Sequence, residues 1–144
     1  MTTLYIVATP IGNLEDITLR ALRTLKEVDF ILCEDTRVTR KLLAHYDIHT
    51  PCIAYHQHSD ERKVAEIKAL LEQGKNLALV TDAGTPGISD PGGKLVEALV
   101  INPPASPFAK GGTQGGFSHA IVPIPGPSAL TAALSISGFP TDHF

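Results

Sequence analysis

The sequence predicts an α/β domain, a mostly parallel Rossmann-like sheet with helices on both faces. Three observations carry this expectation. Short apolar runs rich in β-formers alternate with segments of helical periodicity. The runs are apolar throughout rather than every second residue, as strands covered on both faces are. Most of them end in loops dense in glycine, proline and aspartate. At 144 residues the chain is one domain of ordinary size, and folding buries about two thirds of the unfolded surface, so neither a disulfide nor a metal staple is required.

The first strand covers residues 4–8, LYIVA, and feeds the turn-rich TPIGN. Leu19, Leu22 and Leu25 then recur at helical spacing, with Asp16 or Thr18 as the cap. FILC (residues 30–33) is the second strand, and the polar EDTR leads into a helix from about Val38 to Tyr46. The third strand is residues 52–55, after which Ser59 is expected to cap a helix with Val64, Ile67 and Leu71 on one face and Gly74 at its end. The fourth strand, residues 76–80, opens into TDAGTPGISDPGG (residues 81–93). Four glycines, two prolines and two aspartates in that segment argue against helix or strand and for a rigid loop that exposes backbone groups. A helix over residues 94–100, a fifth strand over 121–124, the turn PGPS and the small-residue helix ALTAALSIS complete the order. Residues 102–118 interrupt it with three prolines and four glycines. They read as a flexible polar insertion, or as a functional lid.

With 43% hydrophobic and 19% charged residues and no Trp, the composition is that of a soluble globular chain with an aliphatic core. Cys33 and Cys52 sit in apolar runs and read as small buried hydrophobes, not a disulfide framework. The N-terminus has no basic region and Thr9-Pro10 cuts its apolar run, so a secretory signal is not expected, and no stretch approaches a membrane span. A cytoplasmic protein with no membrane partner is the expectation. The net charge of −3 argues against a surface coated for nucleic acid. Yet six of the twelve Lys and Arg residues (Arg20, Arg23, Lys26, Arg37, Arg40, Lys41) fall between positions 20 and 41 against four acids. Two readings stand: solvated helix faces, or a patch that faces phosphate.

In a parallel sheet the loops after successive strands share one edge, so ATPIGN, EDTR, YHQH, DAGTPGISDPG and PIPGPSA should line one cleft. The chain has no GxxxxGK[ST], and Gly12 lacks the partners for GxGxxG, which excludes the common phosphate loops. Glu34, Asp35 and His56 are the candidate bases at strand ends. For Asp35 the alternative is a structural ion pair with Arg37 or Arg40. His56 and His58 are too few for zinc, and no metal is expected.

The segments VATPIGNLEDIT (7–18), EDTR (34–37), DAGTPGISDPG (82–92) and PIPGPSAL (123–130) occur in the same order in the ribosomal RNA small subunit methyltransferase I family. The chain resembles that family over nearly its whole length, except at residues 101–118, where the family runs from helix to strand through a short turn. The resemblance implies the N-terminal half of a tetrapyrrole-methylase-like two-domain fold, with residues 1–144 as one domain and the C-terminal domain outside this chain. It implies methyl transfer from S-adenosylmethionine to a ribose 2′-oxygen of a cytidine in 16S rRNA of the small ribosomal subunit, by a homodimer. It implies cofactor contacts from the Ile11-Gly12-Asn13 loop, from Asp82, Gly84 and Thr85, and from Ser128 and Ala129. Arg20, Arg37 and Arg40 are then assigned to RNA phosphate or to structure. The cofactor of this fold lies between two domains, so this chain alone is expected to bind it poorly and turn over little. The rivals are a tetrapyrrole C-methyltransferase acting on a porphyrinogen or precorrin, and a non-catalytic dimerisation domain.

Overall fold

The computed structural model describes residues 2–56, 59, 61–88, 90, 92–101 and 119–142. Its strands are β1 (Thr2–Val7), β2 (Phe30–Cys33), β3 (Cys52–Ala54), β4 (Leu77–Leu79) and β5 (His119–Ile124). Its helices are α1 (Leu19–Glu27), α2 (Thr36–His45), α3 (Glu61–Glu72), α4 (Gly92–Ile101) and α5 (Ala129–Ile136). The five strands form one sheet in the order β3-β2-β4-β1-β5, and every pair is parallel. The predicted α/β class is what the chain adopts.

Both faces of the sheet are covered. Val7, Ile31, Cys33, Ala78, Val80 and Ile124 meet Ala21 and Leu25 of α1 and Leu42 and Leu43 of α2. On the other face Leu4, Leu32, Leu77 and Leu79 meet Ile67 and Leu71 of α3 and Leu95 and Leu99 of α4. Successive strand residues therefore alternate between two apolar layers, which is why the runs read as continuously apolar. The chain crosses to one side through α1 and α2, then returns over the other through α3 and α4. The reversal falls at β4, whose following helix lies on the face opposite to those that follow its two neighbours, β1 and β2. Such a switch point opens a crevice at the carboxyl edge of the sheet.

The elements depart from expectation in several places. β1 ends at Val7 because Ala8 and Thr9 leave the ladder, and Thr9 pairs instead with Gly84. Thr18, not Asp16, caps α1, its hydroxyl taking the Ala21 N–H at 3.1 Å, while Asp16 lies in a short 3₁₀ turn (Leu14–Asp16) capped by Asn13. Leu19 is 86% exposed, so the buried face of α1 is Ala21, Thr24 and Leu25. α2 starts at Thr36, two residues before Val38, because Asp35 is its N-cap. Ser59 accepts the His56 N–H at 3.0 Å and returns its own N–H to the His56 carbonyl. Gly74 (φ +90°) follows α3 as anticipated. Gly92 and Gly93 belong to α4 rather than to the loop, with Asp90 accepting the Gly92 N–H at 2.7 Å. β5 begins at His119, two residues earlier than expected. The insertion lies outside the described residues apart from Ile101, the last residue of α4, and His58 lies outside them too.

Cys33 is buried and Cys52 half-buried, both thiols free. Cys33 is in register with Ala54 and Cys52 with Ile31, so the cysteines are diagonal neighbours. The Cys52 thiol and burial together push the Cys33 thiol up.

Candidate active site

Four loops meet at the carboxyl edge around the β1/β4 switch point, held by backbone and side-chain bonds rather than by apolar packing. The Thr9 N–H donates to the Gly84 carbonyl at 2.9 Å and the Gly84 N–H returns to Thr9 at 3.0 Å. The Thr9 side chain, 2% exposed, donates its hydroxyl to the Thr81 carbonyl at 3.1 Å. Thr85 donates its hydroxyl to the Pro127 carbonyl at 3.0 Å, tying the β4 loop to the β5 loop. Asp82 accepts the Asp35 N–H at 3.2 Å, tying the β4 loop to the β2 loop.

Two glycines make this stitching possible. Gly84 has φ +87°, where a side chain is strained. A Cβ on Gly126 would stand 3.0 Å from the Ala8 Cβ, tighter than ordinary contact, so glycine lets the β5 loop lie closest on the end of β1. Asp90 accepts Gly87 N–H with both oxygens, at 2.9 and 2.8 Å, and folds the distal part of the loop onto the start of α4. It is a structural aspartate.

Three hollows surround the stitched loops. One of about 520 Å³ is lined by Ile11, Asp16, Thr18, Gly126, Pro127 and Ser128 with the α5 residues Thr131, Ala132 and Ser135. A second of about 390 Å³ is lined by Ala83, Gly84, Thr85, Ile88, Ser128, Ala129 and Leu130. Ser128 lies on the wall of both. A third, about 200 Å³, runs between Thr9, Pro10, Leu14, Val38, Lys41, Leu42 and Asp82.

The predicted site residues divide clearly. Ile11, Gly84, Thr85, Ser128 and Ala129 line the two larger hollows. Gly12 (φ +157°) is exposed beside Ile11. Asp82 faces the third hollow while holding the Asp35 amide. Among the candidate bases, Asp35 is spent on structure. It caps α2 through the Arg37 N–H at 2.8 Å and forms a forked pair with the Arg37 guanidinium, 2.7 Å at its shortest. The Arg37 fork and amide hold its carboxyl at about 2, so it accepts protons poorly at neutral pH. Arg37 is correspondingly occupied. Glu34 is half-buried at the end of β2. His56 is exposed beyond β3, with β2 standing between that strand and β4. Arg20 and Arg40 are exposed on α1 and α2. Among the described residues no group of three or more His, Cys, Asp or Glu could hold a metal ion, and no helix is long and apolar enough to cross a membrane.

Residues 3–144 match the family described as Tetrapyrrole (Corrin/Porphyrin) Methylases. The chain belongs to this family. It is 51% identical over 144 residues to a protein named Ribosomal RNA small subunit methyltransferase I from Synechocystis sp., covering 100% of this chain and 46% of that protein. The protein of the same name from Thermotoga maritima is 49% identical over 144 residues, with 58% of its length covered. The chain thus spans about half the length of the curated relatives it matches. In fold it is similar to the uroporphyrin-III-C-methyltransferase from Thermus thermophilus, with TM-score 0.63 and 24% identity over 99% of this chain and 55% of that one.

For a tetrapyrrole methylase of this sequence, the Gly/Pro loops named in advance are the ones that converge. What sequence reasoning missed is the fastening: Thr9, Thr85 and the amide of Asp35. A threonine directly after a strand was the available signal for Thr9, but its partners Thr81 and Gly84 lie more than seventy residues away.

Proposed function

We propose that the stitched loop edge is the S-adenosylmethionine site of an RNA ribose methyltransferase, and that the intact protein methylates the 2′-oxygen of a cytidine in 16S rRNA. The observation that carries this reading is the pair of adjoining hollows, about 520 and 390 Å³ with Ser128 in common, at the switch point of a parallel sheet. Their walls fit a ligand with nucleoside and amino-acid ends. Small residues and loop backbone dominate them: Gly126, Pro127, Ser128 and Ala132 on the larger, Ala83, Gly84, Thr85 and Ala129 on the smaller. The naming of the relatives supports the RNA substrate.

When bound, the cofactor supplies a methyl group already activated by sulfonium charge. The protein's own residues then align a ribose hydroxyl and exclude water, the effects that dominate a displacement of this kind. With Asp35 held ionised by Arg37, Glu34 and His56 are the groups left to take the hydroxyl proton. We assign residues 1–144 to an N-terminal domain, place the enzyme in the cytoplasm as a homodimer, and expect further chain to complete the cleft.

Tritium transfer from S-adenosylmethionine to 30S subunits by the intact protein is the test. Labelled 16S rRNA supports the proposal. Label in a porphyrinogen but not in 30S particles would favour the tetrapyrrole reading that the family name suggests. A dimer without detectable cofactor would favour the binding-domain reading, for which the uncovered α5 is the supporting observation.

A further inference from the structure

Positive charge on this chain is concentrated on one face of its sheet. α1 and α2, side by side on one face, carry Arg20, Arg23, Lys26, Arg37, Arg40 and Lys41 against Glu27 alone, a balance of +5. Because the whole chain is −3, everything outside these helices sums to −8. On the opposite face α3 balances three cations with three acids and ties Lys63 to Glu66 at 2.8 Å. Of the six cations, Arg37 is the one ion-paired among the described residues; Arg20, Arg23, Lys26, Arg40 and Lys41 are exposed and carry no ion pair.

Arg20 and Arg23, Arg23 and Lys26, and Arg37 with Arg40 and Lys41 stand three or four residues apart, the spacing at which like charges on a helix repel. Glu27 is the one acid at such a spacing, four residues after Arg23, so the row carries an excess of exposed cations that an external anion would relieve. The row also leads somewhere: α2 starts at the loop edge, and Lys41 lines the 200 Å³ hollow together with Asp82 and Thr9. A protein partner would want an apolar or aromatic centre. On α1 and α2 the large exposed hydrophobics are Leu19 and Val38, both in the first turns beside the loops. A phosphodiester backbone needs only the cations.

We propose that the α1–α2 face is a track for the phosphates of a single nucleic acid strand, contacted by Arg20, Arg23, Lys26, Arg40 and Lys41, with Lys41 where the strand enters the site. This rests on the reading above for the strand being RNA. Arg37 is left out because Asp35 occupies it.

The test is fluorescence anisotropy of a labelled single-stranded RNA of about 20 nucleotides titrated with the 144-residue chain, without cofactor, between 50 and 200 mM salt. At about 0.7 in log–log slope per phosphate contact on a single strand, five contacts predict roughly 100-fold weaker binding over that range. R40E/K41E should lower the slope by at least about 1.4, while R62E/K63E on α3, with circular dichroism confirming both folds, should leave it unchanged. Equal binding of DNA of the same sequence agrees with the proposal, since phosphate is what the cations read. Equal losses in both variants, or capture of polyglutamate but not of RNA, would overturn it. Binding needs no methyl transfer, so a chain that binds RNA this way and methylates none leaves this inference standing and removes the proposed activity.

Discussion

At the scale of single residues, the carboxylates of the EDTR segment have opposite duties. Asp35 is locked by the Arg37 fork and caps α2, whereas Glu34 beside it is half-buried with no ion pair among the described residues. Glu34→Gln in the intact protein should lower kcat by about 10²–10⁴, the usual worth of a positioned base, with cofactor affinity unchanged. Asp35→Asn should instead lower Tm, with kcat in the folded fraction nearly unaffected. Methyl-transfer kinetics beside thermal melts separate the two, and a collapse of kcat in Asp35→Asn alone would reverse the assignment. His119 makes a second prediction. It is 3% exposed and burial depresses its pKa. An unfolded histidine titrates near about 6.5, so just below that pH the unfolded chain binds more protons than the folded one. Stability is therefore full above about pH 6.5 and falls as pH drops toward the lower folded pKa. Melting curves from pH 7.5 to 5.5 should show this decline, and His119→Leu should flatten it.

Among the elements, α5 is the outlier. None of its eight residues is buried, Leu130 is 54% and Ile136 87% exposed, and Ser128 caps it through a long 3.5 Å bond. A helix this short is marginal in water without packing. Hydrogen exchange on this chain should find α5 amides near the unprotected rate while α1 and α3 exchange through global opening; protection of α5 equal to that of α1 would refute this. How far the elements were legible follows from the range of the forces involved. α2 announces its start locally, Asp35 being a cap written into the sequence, yet an expectation anchored on the first apolar residue, Val38, starts it two residues late. Leu19 fits the helical spacing but lies outside the narrow stripe of Ala21 and Leu25 that meets the sheet. The Gly/Pro loops were readable because their backbone demands are local. The Thr9–Gly84 bridge and the Asp82–Asp35 bond were not, since they depend on β1, β2 and β4 being neighbours, and strand order is a property of the whole sheet.

At the scale of the whole molecule, the described residues form one side of the candidate site. The loops are fixed to one another by Thr9, Thr85 and Asp82, yet Ile11, Leu14, Ile88 and Leu130 remain 38–56% exposed around them. Preorganised loops favour specific cofactor binding, because little ordering is left to do. A ligand resting on a single wall keeps much of its surface in water, whereas tight small-molecule sites enclose about 70–90% of it. Affinity should therefore be limited by the missing enclosure and not by loop flexibility. The 144-residue chain should bind S-adenosylmethionine about tenfold or more weakly than the full-length Thermotoga maritima relative, a difference of at least about 1.4 kcal/mol. Isothermal titration calorimetry of both proteins measures it directly. Thr9→Val, which deletes the buried hydroxyl joining the β1 and β4 loops, should weaken binding by the 144-residue chain further. If the short chain binds as tightly as the longer protein, a single wall suffices and the expectation of a completing domain fails.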